Sequence, residues 1–236
     1  MIKIVVMCCV LNEERNIERY CEVYSRFTDK IVICDGGSTD RTVELAEGFP
    51  KVNVVHFGEL KDFNGIPCNP LGPMHNFAYR AVLEKSPDWI ITDEADSLPT
   101  LELQRTARSI MILTAQDIVG AGRIYMIGKD DYFPALSMQG YFGWAHQPRE
   151  VDGRYGETKF AGIPRPYFPH PEGAFAARWR KLDQPLALLH DGWPNEEVVN
   201  FKTRRYRLNG ALREGGTAIP AYAGQSEPLP GWAKWN

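Results

Sequence analysis

Four apolar runs, at residues 2–10, 30–34, 52–56 and 88–92, alternate with segments of helical periodicity, and this alternation constrains the fold more than any other feature. The first run, IKIVVMCCV, is β-branched and does not alternate with polar residues, as expected of a parallel strand covered on both faces. After it, Ile17, Tyr20, Cys21 and Tyr24 recur at three- and four-residue steps and form one apolar stripe. A cap at Asn12 is expected to open that helix, with Glu13 and Glu14 in its first turn. Ser38 or Thr39 is expected to cap a second helix that ends near Gly48-Phe49-Pro50. Residues 57–72, rich in Gly, Pro and Asn, read as a loop, and Pro73 suits the first position of a helix carrying Met74, Phe77, Ala78, Ala81 and Val82. The expected fold is therefore α/β: a mostly parallel open sheet flanked by helices, with its ligand crevice at the carboxyl ends of the strands.

A helix over 100–116 and a strand over 118–127 continue the pattern, which degrades over 128–194 into short strand-like runs among aromatics and prolines. This stretch reads as an irregular, substrate-shaping half. Tyr141, Phe142, Trp144, Trp179 and Trp193 in it suit either core packing or stacking on a substrate. The chain reads as one domain, with a first half over 1–116, a second over 117–214 and an irregular tail over 215–236 that Trp232 and Trp235 are placed to dock. A net charge of −3 offers no overall attraction to nucleic acid, so the basic run Lys202, Arg204, Arg205 and Arg207 reads first as a solvated helix face. Five cysteines without paired spacing point to a reducing, cytoplasmic setting. The opening apolar run is too short to span a bilayer, which still allows peripheral contact with a membrane surface.

Polar residues collect where the strands end: Asn12 and Glu14 after the first, Asp35 after the second, and Asp93, Glu94 and Asp96 after the fourth. In an extended segment alternate side chains share a face, which groups Glu94 with Asp96 and sets Asp93 opposite. Two carboxylates on one face suit Mg²⁺ or Mn²⁺, whose shells are commonly completed by phosphate oxygens and water, so a phosphorylated substrate is implied. The string DEAD at 93–96 is no helicase box, because no GxxxxGK[ST] loop precedes it. GAGRIYMIG at 120–128 is no dinucleotide fingerprint either, since Tyr125 stands where the third glycine belongs.

The segments VLNEERNIERY, IVICDGGSTDRTVELA and DWIITDEADSLP resemble, in order and spacing, those of family 2 glycosyltransferases with the GT-A fold, and the resemblance covers residues 3–115. It implies a nucleotide-sugar site in which Asn12, Glu14 and Asp35, with the flanking Leu11 and Gly36, hold the nucleotide. Asp35 would accept the imide N–H of uracil, beside a turn tightened by Gly36 and Gly37. The family's D-x-D metal motif appears as Glu94-Ala95-Asp96, a departure at its first position that leaves Asp93 as the alternative partner. The segment LLHDGWPNEEVVNFKTRRY at 188–206 is similar to one in a lipopolysaccharide-core-like branch, which implies His190 as a third metal or diphosphate contact and tilts the cation toward Mn²⁺.

Transfer to an acceptor hydroxyl needs a general base, for which the resemblance points to Glu172 in YFPHPEGAF, with Asp191, Glu150 and Asp152 as alternatives. Lys202 and Arg205 would neutralise the departing diphosphate. The expected activity is metal-dependent, inverting transfer from a nucleotide diphosphate sugar, a UDP-sugar, to a saccharide or other hydroxyl acceptor. Two other readings stand beside it. A sugar nucleotidyltransferase would want a glycine-rich activating loop after the first strand, where this chain has LNEERN; a module that binds the nucleotide without turnover is the other.

Overall fold

β1 (Ile4–Val10) is apolar on both faces: Ile4, Val6, Cys8 and Val10 enter one core and Val5 and Met7 another, each at most 2% exposed. A strand of this kind needs cover on two sides. β1 lies between β2 (Lys30–Asp35) and β6 (Trp89–Thr92), parallel to both, and β3 (Val52–His56) continues the parallel order beyond β2. α1 (Glu14–Ser25), α2 (Thr42–Glu47) and α4 (Leu101–Leu113) supply Ile17, Tyr20, Ala46, Leu103 and Ala107 to the first core. α3 (Leu71–Leu83) covers the opposite face with Met74, Ala78 and Val82. The structure, a computed structural model, describes residues 1–58, 61–63, 66–68, 71–127, 130–132, 141–148, 158–160, 163–165, 179–191, 198, 200 and 227–234.

Beyond β6 the sheet first reverses at β10. β10 (Tyr141–His146) is antiparallel to β6 and to β8 (Ile118–Ile127), so β8 regains the direction of β6, and β13 (Trp179–His190) runs parallel to β8. The result is the expected mostly parallel open sheet with helices on both faces. Short strands complete it: β7 (Ser97–Pro99) on β13, β9 (Asp131–Tyr132) on β8, and β14 (Glu227–Pro228) on β9. Two small hairpins, β4 (Lys61–Phe63) with β5 (Ile66–Cys68) and β11 (Thr158–Phe160) with β12 (Ile163–Arg165), lie outside it. No helix among the described residues is long and apolar enough to cross a membrane.

Several local expectations are corrected. The N-cap of α1 is Glu13, with no side-chain cap bond, and Asn12 adopts a left-handed φ of 56° just before it. α2 starts at Thr42, well after Ser38 and Thr39, which bond to the loop after β1 instead. The loop expected over 57–72 holds the β4–β5 hairpin, and α3 begins at Leu71, placing Pro73 inside its first turn. α4 is shorter than 100–116; Thr100 is its N-cap and accepts from the Leu103 N–H at 3.4 Å. The half read as irregular contains the 12-residue β13, whose pairing with β8 shifts between Leu182 and Ala187, around Asp183-Gln184-Pro185. The tail also docks: Trp232 and Leu229 pack with Ile124, Met126, Ala187 and Leu189, and Leu101 N–H donates to the Lys234 carbonyl at 2.6 Å. Trp235 lies outside the described residues. Trp144 is a core residue, fully buried. Cys8, Cys21 and Cys34 are buried and Cys9 half-buried, all four as free thiols.

The turn after α1 is tied to the sheet by Asp29, which accepts from the Ile4 N–H at 2.7 Å and from Arg108 at 2.9 Å; Arg108 also reaches the carbonyls of Ile2 and Phe27. Partial burial pushes the Asp29 carboxyl up, but the Ile4 N–H and the Arg108 guanidinium outweigh it and hold the group below the usual range. A depressed pKa stabilises the fold above the unfolded-state value and loses that contribution as pH falls through the folded one. Asp29→Asn is expected to cost about 1 kcal/mol at neutral pH, discounted for its exposure. Urea denaturation across a pH series should show the difference from wild type shrinking to zero in acid.

Candidate active site at the strand ends

Parallel strands deliver their carboxyl ends to one rim. In register, Val10 of β1 lies beside Asp35 of β2, and Asp35 beside His56 of β3. The Asp35 carboxylate is buried and accepts the backbone N–H groups of Gly37 at 3.1 Å and Ser38 at 3.0 Å, with His56 Nδ1 at 3.5 Å. Gly37 takes a φ of 98°, open to glycine at little cost, so the chain can turn back over the carboxylate. A carboxylate offers about four acceptor sites, so a further donor from a ligand can be taken.

Asn12 and Glu14, expected as nucleotide contacts, are joined to this corner. Asn12 N–H donates to Ser38 Oγ at 2.8 Å and its Oδ1 accepts from Thr39 N–H at 2.8 Å. Glu14 accepts from the Arg41 N–H at 2.9 Å, while its own N–H reaches Asp40 Oδ2 at 3.1 Å and the Glu13 N–H reaches Thr42 Oγ1 at 2.7 Å. The two motifs therefore cap each other's backbone. Leu11 is half-buried and Gly36, whose N–H donates to the Val10 carbonyl at 2.8 Å, is buried.

After β6 the chain turns, with Ser97 N–H donating to the Glu94 carbonyl at 2.9 Å. This turn, rather than the alternation of an extended strand, brings Glu94 and Asp96 to one place. β7 pairs with β13 so that Ser97 lies beside His190. His190 Nε2 stands 3.2 Å from Glu94 Oε2 and 3.6 Å from Asp96 Oδ1, and the ring meets Tyr125 edge-on at 5.3 Å. One donor atom from each of the three residues falls within 4.8 Å of the others. Two neighbouring ligands of an octahedral cation at about 2.1 Å are about 3 Å apart, so this oxygen–oxygen–nitrogen set fits Mg²⁺ or Mn²⁺ with little adjustment.

Asp93 turns inward instead. Its side chain is fully buried, accepting from Tyr24 Oη at 2.5 Å with Arg123 at 3.5 Å, and burial pushes its pKa up to about 6 against the pull of Arg123 and Tyr24. Trp144 Nε1 donates to the same Tyr24 oxygen at 3.3 Å. Arg123 is shared, because its other terminal nitrogen reaches Glu94 Oε2 at 3.0 Å. Asp191 is also buried, paired with Arg15 at 3.1 Å and Arg19 at 3.8 Å. Burial raises the Asp191 carboxyl, and the two arginines oppose the rise. Glu172, Lys202 and Arg205 lie outside the described residues. Arg123, Arg15 and Arg19 were not expected at the site from sequence, and Tyr24 was expected only in the apolar stripe of α1. Arg123 left a signal: it is the one charge in the apolar run IVGAGRIYMI.

The mostly parallel sheet with helices on both faces matches that of GT-A glycosyltransferases among solved structures. Glucosyl-3-phosphoglycerate synthase from Mycobacterium tuberculosis, solved with Mn²⁺, UDP and phosphoglyceric acid, matches with a TM-score of 0.52 at 16% identity, over 97% of this chain and 87% of that one. Its complex with Mn²⁺, UDP and glucosyl-3-phosphoglycerate matches at 0.50 and 17% identity, over 97% and 88%. TarS 1-349 of S. aureus with UDP gives 0.44 at 16% identity over 54% of this chain, which spans 37% of that structure. No family model and no curated protein matches the sequence.

Asp96→Ala and His190→Ala are each expected to lower Mn²⁺ affinity at least tenfold or so, whereas Asp93→Asn, outside the three-residue cluster, changes it far less. Electron paramagnetic resonance of free Mn²⁺ in a titration measures all three.

Proposed function

We propose that the protein is a metal-dependent, inverting glycosyltransferase that moves a sugar from a nucleotide diphosphate sugar, a UDP-sugar, to an acceptor hydroxyl. The observation that carries the reading is the convergence of Asp35 and the Glu94–Asp96–His190 cluster on one rim of a GT-A sheet. The neighbours of this fold solved with UDP and Mn²⁺ support the choice of nucleotide and cation. In this reading Asp35 accepts the imide N–H of uracil, and its two backbone donors keep the carboxylate fixed for that contact. Asn12 and Glu14 act one step back, holding the corner. Glu94, Asp96 and His190 hold a divalent cation, which when bound supplies positive charge to the diphosphate. Lys202 and Arg205 add to that charge in the proposal.

The acceptor oxygen forms its bond to the anomeric carbon as the bond from that carbon to the diphosphate oxygen breaks, and UDP leaves with the electron pair. The acceptor's proton passes to a carboxylate, for which Glu172 is proposed on its sequence context. Asp191 does not suit that role in this geometry, because it is buried and ion-paired. Placement in the lipopolysaccharide-core-like branch, with a saccharide acceptor, rests on residues 188–206 alone.

Calorimetric titration with UDP, GDP and CDP, each with Mn²⁺ and again with chelator, tests the reading. UDP is expected to bind in a metal-dependent way, and Asp35→Ala is expected to lose about 1–3 kcal/mol of that binding through one buried acceptor. Binding of UDP without hydrolysis of any UDP-sugar would identify a binding module. No metal-dependent nucleotide binding would sink the proposal.

A further inference from the structure

Asp191 is placed to hold other groups rather than to meet a substrate. It follows His190 directly, at the end of β13. Its backbone N–H donates to the carbonyl of Asp96 at 2.7 Å, so one residue joins the strand that carries the imidazole to the turn that carries the carboxylate. Its side chain leaves in another direction, across to α1. There Oδ2 lies 3.1 Å from Arg15 Nη2 and 3.8 Å from Arg19 Nη2. Oδ1 is buried and takes no hydrogen bond from the described residues. The charge of this carboxylate, 5% exposed, is therefore answered by the two arginines.

The consequence for the site follows from the chain path. Asp96 Oδ1 and His190 Nε2 come from segments far apart in sequence, and their 3.6 Å separation depends on how β13 meets the turn after β6. The β7–β13 ladder ends at Ser97 and His190, so the next bond along it is the one from Asp191 N–H to Asp96. With α1 gripping the Asp191 side chain, that bond is fixed in three dimensions.

We infer that Asp191, held by Arg15 and Arg19, is a positioning residue that sets the spacing of Asp96 and His190 for a divalent cation; this rests on the metal-dependent reading above. It reassigns Asp191 from base to strap. It also gives α1 a part in cation binding, although neither arginine belongs to the cluster itself.

The test uses Mn²⁺ alone, titrated into the full chain and followed by electron paramagnetic resonance, with thermal unfolding recorded for every variant. Asp191→Asn and the pair Arg15→Gln/Arg19→Gln are each expected to weaken Mn²⁺ about tenfold or more, the range typical of groups that orient ligands. Combining the three substitutions should weaken it little further, because they cut the same link. Arg15→Lys/Arg19→Lys, which keeps the charges, should recover most of the affinity. Arg15 is half-exposed on α1, so Arg15→Gln alone serves if Asp191→Asn fails to fold. Wild-type affinity in folded Asp191→Asn would overturn the inference while leaving the metal reading intact. Absence of Mn²⁺ binding lost in Asp96→Ala would instead overturn the metal reading, and the inference with it.

Discussion

The site depends on strand direction. β1, β2, β3 and β6 are parallel because each is joined to the next through a helix or a long crossover and both faces of the sheet are covered. Their carboxyl ends meet at one rim, which is why Asp35 and the turn at 93–96 lie at the same edge. The reversal at β10 then decides the remainder. Being antiparallel to both β6 and β8, it restores the common direction, and β13 parallel to β8 brings His190 to that same edge. A second reversal would have left the imidazole at the far side of the sheet.

Polar residues at such a rim have two possible employments, and hydrogen bonds distinguish them. Asn12 and Glu14 accept from the backbone N–H groups of Thr39 and Arg41, while Thr42 and Asp40 accept from those of Glu13 and Glu14, closing the loop after β1 onto the loop after β2. That closure satisfies N–H groups at the starts of α1 and α2, which no earlier helical turn can satisfy. Asp35, by contrast, is held by two N–H donors and a neighbouring imidazole and retains acceptor capacity. The motif is thus one structural unit built around one carboxylate.

The first half of the fold was legible because its strands are buried on both faces and its helices show a single stripe, so pattern and burial coincide. The corner was legible as a motif but not as a network: Asn12 looks like a helix cap in sequence, and only the neighbouring loop reveals that its partner is Thr39. β13 was hidden by Asp183-Gln184-Pro185, which breaks the apolar run where the register with β8 slips. The grouping of Glu94 with Asp96 was anticipated, though by strand alternation when a turn produces it. His190 entered only through resemblance, since a lone histidine carries no pattern of its own. Pairings such as Asp191 with Arg15 join residues 176 positions apart and leave no local trace.

Four carboxylates, Asp93, Glu94, Asp96 and Asp191, gather near His190, and their surroundings sort them. Asp93 is sealed in with Tyr24 and Arg123, and Asp191 with Arg15 and Arg19. Removing either set of partners would strand a charge in a poorly solvated place, so both are committed to the fold. Glu94 differs: its side chain is 52% exposed, and its partners are the Arg123 guanidinium and the His190 imidazole. Asp96 lies beneath it, facing the same imidazole. Attraction between opposite charges strengthens with their magnitude, so a doubly charged ion lodged between Glu94 and Asp96 competes favourably with a single guanidinium on the outer oxygen. Arg123 would then keep its bond to Asp93, which is the buried one. The division follows from partners: Asp93 and Asp191 are tied to arginines, whereas Glu94 and Asp96 both face the His190 imidazole.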